Sequence, residues 1–184
     1  MDQGAQDYFR YLEGDDEGLV RVIEAYKDPL ILYVCGFVKD VWLAEDLVED
    51  TFLKLVVKKP RFLGKSSFKT WLFATARNLA LDHLRRAKRT QTVPLSEVQV
   101  ADVQSIEEAC FQKESALILH RAMKRLSPDY QSVLFLVYFE NFSLDEASTV
   151  LKKRKKQTEN LLYRAKGALR KRLEQEGYRY EELT

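Results

Sequence analysis

The sequence predicts an all-α protein made of two helical domains joined by a flexible linker. Only 7 glycines and 4 prolines occur in 184 residues, and few segments alternate apolar and polar residues with the period of two that is typical of strands. Hydrophobic residues make up 46% of the chain, which is enough for a core in each of two small domains. Amphipathic helices should therefore dominate.

The charge pattern divides the chain in the same way. Residues 1–50 carry a net charge of −9 and residues 51–100 a net charge of +9, while residues 101–150 carry −4 and residues 151–184 carry +6. Two acidic-then-basic blocks indicate two modules, each with a surface that could contact phosphate.

The boundary between the modules is predicted between Thr90 and Gln104. This stretch contains a proline, carries little charge and has no sustained helical periodicity, as expected of a linker. The predicted units are a first domain at residues 1–89, a linker at residues 90–105 and a second domain at residues 106–184.

Three helices are predicted in the first domain. The first runs from Gly14 to Val38, although Pro29 is expected to kink or divide it. The second runs from Val41 to Val57 and ends before two lysines and a proline. The third begins after Ser67, a suitable N-cap, and runs to about Arg89.

Four helices are predicted in the second domain. Two of them follow serines that are suitable N-caps, Ser127 and Ser143, and one of these begins with a proline at its first position. The four helices span Ser105 to Arg125, Pro128 to Phe139, Leu144 to about Leu151 and about Lys156 to Glu176.

The composition excludes several classes of protein. No uncharged apolar stretch of about 18 residues occurs, and the first residues are acidic, unlike a secretory signal. We therefore expect a cytoplasmic protein. Cys35 and Cys110 lie far apart among apolar residues, which favours buried thiols over a disulfide. With only His83 and His120 besides, we expect no metal site and no cofactor.

One side of the helix after Ser67 carries residue types that are typical of nucleic-acid recognition. Five residues fall within about 60° of one another on a helical wheel, and the rest of the circumference is largely apolar. Arginine suits phosphates and guanine, asparagine suits base edges, and an aromatic ring can stack on unpaired bases. The alternative is an ordinary solvated polar face. The five residues are Trp71, Asn78, Asp82, Arg85 and Arg89.

Three stretches of the chain carry motifs of a recognisable kind. They are AEDLVEDTFLKL at residues 44–55, FxxWLxxxAxNxxxDxxR at residues 68–85, and YFENFSLDEA at residues 138–147. In that order, they resemble the polymerase-binding helix, the promoter-melting segment and the helix-turn-helix of the bacterial sigma factors in the extracytoplasmic-function (ECF) group of the sigma-70 family. The resemblance extends over nearly the whole chain.

The resemblance implies two contacts with core RNA polymerase, at its clamp coiled coil and at its flap. The helix at residues 44–55 should dock on the clamp, with the acidic residues of its exposed face as the leading candidates and its apolar residues available for packing. The candidate polymerase-binding residues are Asp46, Leu47, Asp50, Phe52 and Leu55.

The resemblance further implies that the loop at residues 61–67 and the following helix bind and melt the minus-ten element of promoter DNA. The loop would hold a base flipped out of the duplex, although Phe62 suits core packing equally well. The candidate residues are Phe62, Lys65, Ser66, Lys69, Trp71, Arg77, Asn78, Asp82, Arg85, Arg86 and Arg89.

In the second domain, the resemblance implies a helix-turn-helix that binds the minus-thirty-five element. Lys152 and Lys153 stand where the family usually has a glycine and an aliphatic residue, so the turn must be built differently. The run of five cations at residues 152–156 favours contacts with phosphates. The candidate residues are Lys155, Lys156, Gln157, Glu159, Asn160, Tyr163, Arg164 and Lys166.

These features predict a sigma factor that binds core RNA polymerase and directs promoter recognition and melting, with an anti-sigma factor as a possible further partner. The alternative is a helix-turn-helix regulator that binds DNA alone, which would require a dimer surface or a sensory domain. An enzyme is not expected, because Asp82 is isolated among cations and no glycine-rich phosphate loop is present. We therefore expect no catalytic residues.

Overall fold

The computed structural model describes residues 2–90, 119, 122–175 and 178, and within these it has seven α-helices, one π-helical segment and no strand. The predicted all-α fold is confirmed. Of the predicted linker, only Thr90 belongs to the described residues. The predicted helix from Ser105 to Arg125 also lies largely outside them, although residues 119 and 122–124 are helical. No described helix has the length and apolarity needed to cross a membrane.

The first domain contains four helices. They are α1 (Gln3–Leu12), α2 (Asp16–Val38), α3 (Val41–Lys58) and α4 (Phe68–Thr90). Helix α2 packs against the other three, and its buried side chains, among them Val22, Leu30 and Val34, form the centre of the core. It continues through Pro29, so of the two expected effects of this proline, a kink or a division, the division does not occur.

Helix α1 was missing from the sequence prediction, and a single carboxylate joins it to α4. Asp2 is the N-cap of α1, where one of its oxygens accepts a hydrogen bond from the backbone N–H of Ala5 at 2.9 Å. Its other oxygen accepts from the N–H of Phe68 at 2.7 Å. Because the first N–H groups of a helix lack partners within that helix, Asp2 satisfies two helix N-termini at once.

Three helices end at a lysine with a positive φ, the backbone conformation that usually selects glycine. Lys39 follows α2 with a φ of 61°, and Lys59 follows α3 with a φ of 40°. Lys152, at the turn of the helix-turn-helix, has a φ of 53°. The atypical turn is therefore built by a lysine that adopts the left-handed conformation itself.

The second domain contains α5 (Pro128–Leu134), a π-helical segment (Phe135–Phe139), α6 (Leu144–Leu151) and α7 (Lys155–Gln175). The helix predicted to extend to Phe139 thus changes to π geometry at Phe135, where the ring stacks on that of Phe139 at 5.5 Å. Ser143 caps α6 in a reciprocal capping box with Glu146. This cap fixes the start of the first helix of the helix-turn-helix.

Candidate nucleic-acid interface

The five residues of the predicted DNA-reading stripe lie along one accessible side of α4. Arg85 and Arg89 are exposed, and Asn78, Asp82 and Trp71 are partly exposed. Arg85 forms an ion pair with Asp82. The side-chain amide of Asn78 makes no hydrogen bond with any other described residue. This amide can both donate and accept a hydrogen bond, so it is available to pair with a base edge.

The loop before α4 divides into a buried part and an exposed part. Phe62 is 6% exposed, and its ring packs against those of Phe9, Phe68 and Trp71. In this conformation Phe62 is therefore a core side chain, and its ring packs behind that of Trp71. Lys65 is exposed and Ser66 is partly exposed, so both are accessible to DNA.

Two other predicted DNA contacts on α4 face the second domain instead. The ammonium of Lys69 donates to the backbone carbonyl of Glu140 and pairs with the carboxylate of that residue, each at 2.8 Å. Arg77 is 7% exposed and lies 3.9 Å from the carboxylate of Asp129. The sequence could not place these cations correctly, because their partners lie about fifty to seventy residues away along the chain.

The apolar residues that α3 exposes are not the ones predicted to bind polymerase. Leu47, Phe52 and Leu55 are at most 6% exposed, so they form core contacts and cannot dock on a partner directly. Asp46 and Asp50 are exposed, as their candidate role requires. The large apolar residues on the outer face, which the sequence analysis did not single out, are Trp42, Leu53, Val56 and Val57.

The exposed apolar residues of α3 could have been found from their spacing. Intervals of three to four residues bring side chains to the same side of a helix. Three apolar and two acidic residues of α3 follow this spacing, namely Trp42, Asp46, Glu49, Leu53 and Val57. Trp42 and Val57 are 66% and 70% exposed. The outer face of α3 is thus an apolar surface with carboxylates in it, a composition suited to protein contact and unsuited to phosphate.

In the second domain, α7 buries Thr158, Ala165, Leu169 and Leu173 and exposes most of the predicted DNA-binding residues. Tyr163 is 81% exposed. Several candidates also have partners within the helix-turn-helix, where salt bridges join Lys155 to Asp145 and Lys156 to Glu159, and Gln157 accepts from the N–H of Arg154. The remaining candidates on the exposed side are Asn160, Arg164 and Lys166.

An apolar cleft of about 550 Å³ lies beside α7 on the second domain. Its lining includes Met123, Leu134 and Leu173, together with the exposed rings of Tyr138 and Tyr163. A cleft of this size and composition suits apolar side chains of a protein partner.

Within the described part of the chain, no three histidine, cysteine, aspartate or glutamate side chains are grouped so that they could hold a metal ion. Cys35 is partly buried, and Cys110 lies outside the described residues.

Comparison with protein families gives two matches, one in each domain. Residues 22–90 match Sigma-70 region 2, and residues 116–169 match Sigma-70, region 4. The RNA polymerase sigma-H factor of Pseudomonas aeruginosa is 26% identical over 186 residues, which cover 95% of both chains. The ECF RNA polymerase sigma factor SigW of Bacillus subtilis is also 26% identical, over 88% of this chain and 91% of that one.

Two solved structures have the same fold. The sigma factor RpoE from Bartonella quintana, in complex with the anti-sigma factor NepR, has a TM-score of 0.68 at 22% identity and covers 84% of this chain and 95% of that one. CnrH, in complex with the cytosolic domain of CnrY, has a TM-score of 0.60 at 22% identity and covers 94% of this chain and 95% of that one.

Proposed function

Because the chain belongs to the sigma-70 family, as a sigma factor of the ECF group that directs transcription initiation, we propose that it binds core RNA polymerase through α3 and reads the minus-ten element with α4. The observation that carries this proposal is the contrast between two neighbouring helices. The outer face of α3 is apolar and acidic, while the free side of α4 carries an amide and arginines.

The polymerase contact is assigned to Asp46, Asp50, Trp42, Leu53 and Val57. All five side chains are exposed, so a partner can cover them without unfolding the helix. Apolar residues supply burial, and the carboxylates set the orientation of a basic partner such as a clamp surface. A negatively charged face would repel DNA, which supports a protein partner here.

The minus-ten contact is assigned to the α4 stripe together with Lys65, Ser66 and Arg86. In this proposal Asn78 reads a base edge, Trp71 stacks on unpaired bases, and the arginines near the end of α4 contact phosphates. Lys69 and Arg77 join this surface only after their contacts with the second domain are released.

The minus-thirty-five contact is assigned to the exposed side of α7, with the run of cations at its start on the phosphates. The apolar cleft beside α7 is proposed as the contact with the polymerase flap. Tyr163 and Arg164 line the cleft and are also DNA candidates, so the two contacts would share an edge.

Further parts of the proposal concern the protein as a whole. It acts in the cytoplasm without catalysing a reaction, and an anti-sigma factor restrains it. Residues 1–89 and 106–184 are its two domains, joined at residues 90–105. The alternative of a regulator that binds DNA alone has no support, because family matches occur in both domains.

Holoenzyme formation tests the polymerase contact. Asp50→Arg and Leu53→Asp should abolish capture by core polymerase while the helical content stays at the wild-type level. Glu24→Arg is the matched control, since Glu24 is an exposed carboxylate on α2, and it should bind as the wild type does. Unchanged capture of both α3 variants would show that α3 is not the docking helix.

A further inference from the structure

We propose that residues 179–184 bind back into the apolar cleft beside α7, where they compete with the polymerase flap. These residues have the sequence RYEELT and lie outside the described residues. The competition with the flap rests on the proposed function of the cleft, whereas the binding of the 179–184 segment does not. The inference is carried by the end of α7 and by the composition of the cleft.

Helix α7 ends in a hydrogen bond that turns the chain at the edge of the cleft. The backbone N–H of Tyr178 donates to the carbonyl of Leu173 at 3.0 Å, which is the long bond of a Schellman motif. Leu173 is buried and lines the cleft, and the partly buried ring of Tyr178 packs against the same hydrophobic core. The 179–184 segment therefore begins beside the cleft instead of continuing along the helix axis.

The 179–184 segment is long enough to follow the cleft. The cleft residues of α7 extend from Tyr163 to Leu173, a rise of about 15 Å along the helix axis. Six residues in an extended conformation span about 20 Å. All of the cleft along α7 is thus within reach of a segment that starts next to Leu173.

The walls of the cleft are apolar and partly open to solvent. They include the rings of Tyr138 and Tyr163, which are 53% and 81% exposed. Exposed apolar groups around a concave site are suited to being covered by an apolar partner. The 179–184 segment supplies two large apolar side chains, Tyr180 and Leu183, and their spacing of three residues lets a single helical turn present both to one surface.

Cations at the rim of the cleft match the carboxylates of the segment. Arg164, Lys166 and Arg170 are exposed and line the cleft. Glu181 and Glu182 lie between the two apolar residues of the segment, so ion pairing and apolar burial can occur together. Exposed ion pairs contribute little stability by themselves, but complementary charge fixes the orientation in which an apolar segment binds.

The connection to α7 makes even a weak contact effective. A segment joined to its binding site by a short stretch of chain has an effective concentration on the order of millimolar. The 179–184 segment and the flap cover the same apolar surface, so they exclude each other. The apparent affinity for the flap is then reduced by the fraction of molecules in which the cleft is free.

NMR spectra of the full chain test whether the segment occupies the cleft. Deletion of residues 179–184 should change the chemical shift of the Gly167 amide, because Gly167 lines the cleft about 9 Å along the helix axis from Leu173. Leu183→Asp should cause a similar change, since it keeps the segment but removes an apolar contact. Leu183→Met is the matched control and should leave the Gly167 shift as in the wild type.

A synthetic peptide of residues 178–184 tests the same contact in trans. Its addition to the shortened chain should move the Gly167 shift back toward the value of the full chain. Lys166→Glu in the shortened chain should weaken peptide binding several-fold. Lys171→Glu is the control, because Lys171 is an exposed cation of α7 that does not line the cleft, and it should bind the peptide as the unsubstituted chain does.

Polymerase affinity separates this proposal from the proposed function. The shortened chain should bind core polymerase several-fold more tightly than the full chain. The same Gly167 shift in both chains, or equal affinity of both chains for core polymerase, would overturn the proposal. Failure of every form to bind polymerase would count against the proposed function, whereas the Gly167 shift would still decide whether the segment occupies the cleft.

Discussion

The ring of Phe62 lies 5.6 Å from the indole of Trp71 and 5.6 Å from the ring of Phe68. Phe62 thus holds in place the aromatic residue that begins the DNA-reading stripe. Phe62→Ala should destabilise the first domain by about 3–5 kcal/mol, because it leaves a cavity behind Trp71. Phe62→Leu should retain most of the stability.

Denaturant unfolding followed by tryptophan fluorescence, together with transcription from several promoters, checks this role. Phe62→Ala should weaken all promoters alike and shift the unfolding midpoint. A variant with wild-type stability that loses discrimination at a single base would instead assign Phe62 to base contact.

The contact between α1 and α2 depends on Gly18. A methyl group at this position would lie 2.3 Å from the backbone oxygen of Asp7 and 2.8 Å from the nitrogen of Tyr11, so the helices would have to separate. Gly18→Ala should therefore destabilise the protein by roughly 1–3 kcal/mol. Gly167→Ala is the matched control, because nothing lies within 4 Å of the added methyl group, and it should stabilise α7 by about 1 kcal/mol. Equal melting temperatures for the two variants would contradict the close packing of α1.

The same contact predicts sensitivity to acid. The hydrogen bond from Gln3 lowers the pKa of Asp7, burial opposes this effect, and the ion pair with Arg21 at 2.9 Å adds to the lowering. A carboxyl group whose pKa is lower in the folded state stabilises that state above its unfolded pKa of about 3.9, and this stabilisation disappears as the pH falls. The melting temperature of the wild type should decrease as the pH is lowered below about 4. Asp7→Asn should melt lower at neutral pH and depend less on pH in this range, and an equally steep dependence in both proteins would rule out this role.

Asn78 is the proposed base reader. Asn78→Ala should remove discrimination of roughly 1–3 kcal/mol at one position of the minus-ten element. Stability should be unchanged, since the amide has no hydrogen-bond partner among the described residues. Arg89→Ala is the comparison: loss of a phosphate contact should weaken binding to all sequences and reduce its salt dependence.

Templates with single-base changes in the minus-ten element distinguish these outcomes, provided that both variants melt as the wild type does. Wild-type preference at every base in Asn78→Ala would show that this residue is not a reader.

Local patterns predicted the helices well. Ser67 and Ser143 were recognised as caps, and α3, α4 and α6 begin and end within about one residue of the predicted positions. Helix α1 was missed because the acidic residues of the N-terminus were interpreted only as charge. Asp2 as a cap, followed by Ala5, Tyr8 and Tyr11 on one side of the helix, was the signal that could have identified it.

The candidate sites were predicted less completely, because their exposure depends on tertiary packing. Apolar residues occur on both faces of α3, and only the packed structure shows that Leu47 is buried and Leu53 is exposed. Similarly, the positive charge of Lys69 suits a DNA contact, but Lys69 forms a salt bridge with Glu140 of the second domain. Contacts between residues so distant in sequence leave no local pattern.

Runoff transcription with purified core RNA polymerase on genomic templates tests the central claim most directly. Addition of the wild-type protein should produce transcripts with discrete start sites, and core polymerase alone, or core with Asp50→Arg, should produce none. If start sites are the same with and without the protein, although it is folded and the polymerase is active, it does not act as a sigma factor.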